Sequence, residues 1–220
     1  MSKVLSCERC GGPIQYGSTF CAYCRTPLQW GRHVAIERGE PFFTMNLAQD
    51  KLPGGGKTVT QRHDGTLVPV EKADWELWGE FAPKLRDGCM ALRGVALDPN
   101  ADFGVYVRLH SEGEAKTVYQ LKIYPAFRTW RMRRESWWKT KTFADIMNDW
   151  EFCSAIRGVG QVNDVELRFA DSVFQIVLND FRVTTIVDAS FGFGGLAWVV
   201  GSHGGPAQIL LQNAGAWRAR

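Results

Sequence analysis

Four cysteines near the start of the chain have the type and spacing for metal chemistry. Cys7-Glu8-Arg9-Cys10 and Cys21-Ala22-Tyr23-Cys24 are two Cys-x-x-Cys pairs. Two intervening residues let both thiolates of a tight turn face one centre. Two such turns supply four sulfurs at tetrahedral positions, the coordination of a closed structural Zn²⁺ site. Disulfides are the competing reading. They need an oxidising compartment, for which nothing in the sequence argues. A redox Cys-x-x-Cys belongs beside a βαβ pattern, and none surrounds these pairs. The expectation is one structural Zn²⁺ per chain, held by Cys7, Cys10, Cys21 and Cys24, and no catalytic residues.

The residues around the pairs must fold them into turns. Gly11 follows the first pair, where a knuckle wants positive φ. Pro13, Gly17 and Phe20 fill the short arm, and Pro27-Leu28 closes it. The stretch Cys7–Leu28 resembles the small bacterial four-cysteine zinc ribbons. Arg25 departs from that pattern by standing at the second glycine position. A non-glycine forced into the left-handed region costs roughly 1 kcal/mol, and zinc ligation is worth about ten times that. The resemblance implies a folding and docking element, because so few residues cannot build a core without metal.

Composition bounds the rest. A chain of 220 residues with 45 % hydrophobic residues can bury a sizeable core. Nine Trp and thirteen Phe favour β structure with aromatic packing. The formal charge of +3 is too small to force a nucleic-acid partner, and four thiolates on one Zn²⁺ would add about two negative charges to it. The first residues carry no apolar run of a signal peptide, and Ala189–Gly201 is too short and glycine-rich to span a bilayer. A cytoplasmic protein with reduced thiols is expected, with Cys89 and Cys153 free and buried.

Organisation follows from the pattern: a zinc ribbon over 1–30, a linker over 31–41, and a β domain over 42–216. Gly54-Gly55-Gly56-Lys57 is a turn and not a phosphate loop, since β-type alternation resumes at Thr58 instead of a helix. Phe103, Val105, Val107 and Leu109 alternate with Gly104, Tyr106 and Arg108, and Tyr119, Leu121 and Ile123 repeat the pattern. Thr129–Arg134 and Lys139–Phe143 form a further hairpin, followed by a helical turn around Ala144–Trp150. The parity of Met90, Leu92, Val95 and Leu97 slips at Gly94, which predicts a bulge. Asn179-Asp180 joins two strands at hairpin distance. A dozen short strands at this spacing predict an antiparallel sandwich.

The run Asn163 to Asn213 is similar to the end of a concanavalin A-like (laminin G or jelly-roll lectin/glucanase) domain. The pieces are Asn163-Asp164-Val165-Glu166-Leu167, Phe174–Asp180, Gly192–Val199 and Gln208–Leu211. The resemblance implies a mainly β protein, an antiparallel jelly-roll sandwich behind a small N-terminal zinc ribbon. That superfamily holds lectins, glycosidases and interaction modules, so function must come from the site.

Retaining glycosidases need two carboxylates about 5 Å apart. No strand here carries clustered acids, and Glu166 stands alone among Val165, Leu167 and Arg168. Asp98, Asn100 and Asp102 offer oxygens for Ca²⁺, but the pattern lacks the distal ligands and reads as a polar turn. His33, His63, His110 and His203 are scattered. The charge anomaly is Lys122–Lys141, where seven basic residues meet one Glu135 and three tryptophans. Trp130, Arg131, Arg133, Arg134, Trp137 and Trp138 are the candidate interaction surface, through Trp and Arg anchors or sugar stacking. The reading is a non-enzymatic zinc-binding interaction protein whose sandwich presents a face to a protein partner. The alternative is a lectin-like carbohydrate-binding module, expected to show tryptophans and carboxamides on one sheet. A glycosidase or nucleic-acid binder ranks below both.

Overall fold

A computed structural model describes residues 9–12, 23–24, 36–55, 58–112, 115–138, 141–146 and 149–220. Fifteen strands follow in chain order. They are β1 (Arg38–Asn46), β2 (Thr60–Arg62), β3 (Gly65–Val70), β4 (Glu76–Leu85), β5 (Gly88–Ala96), β6 (Ala101–Glu112), β7 (Ala115–Tyr124) and β8 (Thr129–Trp138), then β9 (Lys141–Ile146), β10 (Glu151–Phe152), β11 (Val162–Ala170), β12 (Val173–Leu178), β13 (Phe181–Val187), β14 (Gly194–Ser202) and β15 (Ala207–Ala219). No helix is present among the described residues.

Period-two alternation sorts the side chains. Phe103, Val105 and Val107 of β6 point to one side with Tyr119, Leu121 and Ile123 of β7, Trp130 and Met132 of β8, and Leu196, Trp198 and Val200 of β14. Met90 and Leu92 of β5, Val165, Leu167 and Phe169 of β11, and Phe174, Ile176 and Leu178 of β12 meet them from the other layer. Each such side chain contributes about 1.5–3 kcal/mol by leaving water. The result is two antiparallel sheets over one core. One runs β13-β12-β11-β5-β15-β3-β2 with β1 on β15; the other runs β10-β8-β7-β6-β14-β4 with β9 on β8.

Several local expectations hold. Asn179 and Asp180 both take left-handed φ, 50° and 65°, as the two central residues of a tight hairpin turn. The bulge predicted at Gly94 is not in β5, whose register with β11 is unbroken from Gly88 to Val95 and whose core residues keep one parity, Met90, Leu92 and Ala96; the slip lies on the facing strand, between Leu211 and Asn213. Cys89 and Cys153 are buried free thiols, and burial pushes the Cys89 thiol up to about 12. Two further expectations fail. Arg38–Pro41, assigned to the linker, already belong to β1, which pairs with the C-terminal end of β15. Of the helical turn expected around Ala144–Trp150, the first residues are strand instead: Lys141–Ile146 pairs antiparallel with β8, because a ready hydrogen-bonding edge outweighs weak local preference, and residues 147–148 lie outside the described ones.

Of the proposed zinc ligands, Cys7 and Cys21 lie outside the described residues. Cys10 is exposed and Cys24 half-buried. Among the described residues no group of three or more His, Cys, Asp or Glu side chains is arranged to hold a metal. That includes the Asp98–Asp102 turn, where Asp98 instead accepts the backbone N–H of Gln208 at 2.8 Å. No described helix is long and apolar enough to cross a membrane.

Candidate functional site

Each sheet has an outer face, and the two differ in how their polar groups are satisfied. On the eight-stranded sheet a groove of about 500 Å³ is lined by Arg38, Arg93, Asp164, Glu166, Asn179 and Trp217, among others. Its charges are mutually consumed. Glu166 accepts from Arg38 at 2.8 and 3.0 Å and from Arg168 at 2.9 and 3.3 Å. Arg93 pairs with Asp164 at 3.1 Å. Arg38 also lies 4.3 Å over the Trp217 ring. No buried polar side-chain atom of this groove lacks a partner among the described residues.

The seven-stranded sheet is different. Its outward positions along β4, β14, β6, β7 and β8 fall into cross-strand rows. One row is Trp78–Val199–Gly104–Lys122–Arg131, and the next is Glu80–Ala197–Tyr106–Gln120–Arg133. Small residues on β14 and β6 let long neighbours reach across them. At Gly201 an added Cβ would sit 2.5 Å from Oδ1 of Asp102 and 2.8 Å from Nζ of Lys122, so the glycine keeps that passage open.

Through the gap runs a buried polar chain. Lys122 Nζ donates to Oε1 of Glu76 at 2.6 Å and lies 2.6 Å from Oδ1 of Asp102. Asp102 Oδ2 is 2.6 Å from Nε2 of His203. Tyr106 donates its hydroxyl to Glu76 at 2.9 Å, and Gln120 Nε2 donates to Tyr106 Oη at 3.0 Å. Burial alone would raise Glu76 and Asp102, but Lys122 outweighs it and holds both below the usual carboxylate range. Burial also works against the Lys122 ammonium, and the two carboxylates overcome it, so its pKa is raised. Glu135 differs: burial first, and the charge of Glu76 second, raise it.

Aromatic rings flank the chain on both sides. Trp78 and Trp137 lean toward Tyr106 from opposite directions, at 6.3 and 6.2 Å between centroids. Beyond the other end, His203 stacks on Tyr124 at 4.6 Å and 23°, and Trp150 stands 5.8 Å from each. Arg131 lies 4.4 Å over the Trp150 ring. Trp75, Phe127 and Phe152 are exposed large aromatic side chains; Phe127 is 5.0 Å from Tyr124, and the backbone of Trp75 pairs with Ser202 beside His203. Four polar atoms on this face are shielded and have no hydrogen-bond partner among the described residues: Oε1 of Gln120, Nε of Arg131 and Arg133, and Oδ1 of Asp102, which has only the ion-pair contact to Lys122.

The predicted surface is therefore split by strand parity. Arg131, Arg133 and Trp137 share the outer face. Trp130 is in the core. Arg134 faces the core side and pairs with Asp188 at 3.0 Å. The side chain of Trp138 lies outside the description. Sequence reasoning missed Glu76, Trp78, Tyr106 and Gln120 as site residues, and it read Asp102 as part of a polar turn, Lys122 only as the start of a basic stretch and His203 as a scattered histidine; all seven come from distant segments. The period-two alternation of Tyr106, Gln120 and Lys122 opposite core residues was the one signal that could have gathered some of them.

No known protein-family profile matches the chain, and no curated protein matches it. Solved structures do. The carbohydrate-binding module CBM66 from Bacillus subtilis shares 13 % identity over 76 % of this chain and 97 % of its own, with a TM-score of 0.59. A protein of unknown function with a galectin-like fold, also from Bacillus subtilis, gives 9 % identity, 84 % and 99 % coverage, and 0.60. The fold is a concanavalin A/galectin-like β-sandwich. A Bacillus licheniformis β-glucanase matches as well, at 8 % identity, 83 % and 100 % coverage, and 0.53. At such identities the likeness concerns the fold. It nonetheless overturns two expectations. Neighbours that bind or act on carbohydrate run against a zinc-binding protein-docking module as the main reading. A glucanase on the same scaffold removes the ground for calling the chain non-enzymatic. The physical reason for both errors is the same: strand alternation identifies a scaffold, and the acids that a site brings together from separate strands are invisible to it.

Proposed function

We propose that the chain binds carbohydrate on the outer face of the seven-stranded sheet. The observation that carries this is the coincidence of flanking aromatic rings with shielded donors and an acceptor that nothing in the described residues satisfies. Sugar rings present an apolar C–H face that packs on aromatic rings, and hydroxyls that both donate and accept. An unsatisfied buried polar group costs about 1–3 kcal/mol, which a fitting ligand returns. The fold neighbour that is a carbohydrate-binding module supports the reading.

The test is affinity electrophoresis of the full chain in gels containing soluble polysaccharides, neutral and acidic. Retardation by at least one polymer is expected, and Trp78→Ala and Trp137→Ala, both at half-buried rings, should each weaken it about tenfold or more. Migration unchanged in every polymer would refute the reading.

The structural Zn²⁺ site at Cys7, Cys10, Cys21 and Cys24 stays a proposal resting on spacing alone. It predicts about one zinc per purified chain, lost on Cys7→Ser.

A further inference from the structure

The charges on the same face narrow the class of sugar. Arg131 and Arg133 alternate on β8, and their cross-strand neighbours on β7 are Lys122 and Gln120. Three cations and one carboxamide thus form a rectangle on the sheet. Lys122 is already compensated by Glu76 and Asp102. Arg133 has Glu135 at 3.8 Å, beyond hydrogen-bond length. Arg131 has no carboxylate at ion-pair distance among the described residues, and its guanidinium rests on Trp150. The Nε–H of both arginines is shielded and without an acceptor. Burial lowers the Arg131 pKa and the neighbouring Arg133 lowers it further. Asp102, Glu76 and Glu135 all act on Arg131, but from beyond ion-pair distance, so neither guanidinium is held by a carboxylate in a paired geometry. A guanidinium edge recognises a carboxylate or sulfate by parallel N–H···O bonds.

We propose that the ligand is an anionic saccharide. Its carboxylate or sulfate ester lies against the half-buried guanidinium of Arg133 beside Arg131, and the sugar ring packs on the half-buried rings of Trp78 and Trp137. This rests on the carbohydrate reading above and narrows it.

The test compares the full chain against polygalacturonate, κ-carrageenan and a neutral β-glucan by affinity electrophoresis and calorimetry at two salt concentrations. One anionic polymer is expected to bind at least tenfold tighter than the glucan, with the gap shrinking in high salt. Which one binds distinguishes a uronate from a sulfate ester. Arg131→Gln/Arg133→Gln should abolish the preference. Arg133→Lys, which keeps the charge but loses the planar fork, should lose part of it while leaving the fold intact. Lys51→Gln/Arg62→Gln removes two exposed charges elsewhere and should leave the preference in place. Equal loss in that control would show a mere net-charge effect and overturn the proposal. Equal or tighter binding of the glucan would overturn it too, with the carbohydrate reading intact. Binding of no polymer would sink the carbohydrate reading itself, and this one with it.

Discussion

At the scale of single residues, Lys122 is the most committed side chain. It is 1 % exposed and bridges Asp102, equally buried, to Glu76. Taking an ammonium and a carboxylate out of water is costly, and the arrangement is tolerable only because both signs are present with short hydrogen bonds. Lys122→Met should therefore cost about 3–5 kcal/mol, read as a lowered midpoint in urea unfolding. Asp102→Asn added to it should recover part of that loss, because the second substitution removes the stranded charge. If the double variant is less stable than Lys122→Met alone, the pair is not what the lysine serves. The pH dependence has a definite sign. Asp102 and Glu76 are depressed, so their contribution is present above their unfolded pKa values of about 4 and fades as pH falls through the folded ones. Lys122 is raised, so its contribution is full below about 10.4 and lost only in stronger base. Acid titration of the unfolding free energy should drop below about pH 4 in the native chain, and the drop should be smaller in Asp102→Asn.

At the scale of elements, β1 reaches the sandwich from a segment the sequence assigns to a linker. It pairs on one side with β15, and side chains tie it across the outer face. Arg38 clamps Glu166 of β11 while stacking on Trp217, Arg168 donates to the Ile36 carbonyl at 3.1 Å, and the Ile36 N–H donates to Gln175 at 3.1 Å. Burial would raise Glu166, but Arg38 and Arg168 outweigh it. Glu166→Gln should loosen this strap, raising amide exchange over 38–46 by about tenfold or more, as expected for loss of a charge-assisted bond worth about 1.5–3 kcal/mol. Exchange confined to its native rate would show that β15 alone holds the strand. The strap explains what the sequence could and could not disclose. Alternation marked β6, β7, β11 and β12, and Asn179-Asp180 marked a turn, since these are local signals. Glu166 read as solitary because its partners lie two residues and 128 residues away. Arg131, Arg133 and Trp137 were legible as a composition anomaly. Their partners were not, because β14 inserts between β4 and β6, and only that pairing brings Glu76 to Lys122.

At the scale of the whole molecule, two sheets share one large core, and each outer face carries a smaller cluster of its own. Cys153 belongs to the shared core. Cys89 sits outside it, under Ile36, Val173 and Trp217 on the outer face of the eight-stranded sheet. Neither thiol can be reached without opening its cover, and burial holds Cys89 in the unreactive protonated form, with a pKa pushed up to about 12. Their alkylation thus reports two different openings of one fold. If the sandwich unfolds as a unit, both cysteines should label at the same rate in moderate urea, followed peptide by peptide by mass spectrometry so that the four N-terminal cysteines do not interfere. The construction of the face predicts a departure at low urea. Cys89 is covered by the strap and Cys153 belongs to the shared core, so an opening of the strap alone should label Cys89 first, with Glu166→Gln widening the gap and leaving Cys153 unchanged. A saturating anionic polysaccharide on the opposite face should slow Cys153, because it stabilises the native state as a whole, while barely changing the early labelling of Cys89. Equal slowing of both at low urea would mean that the two faces do not open independently.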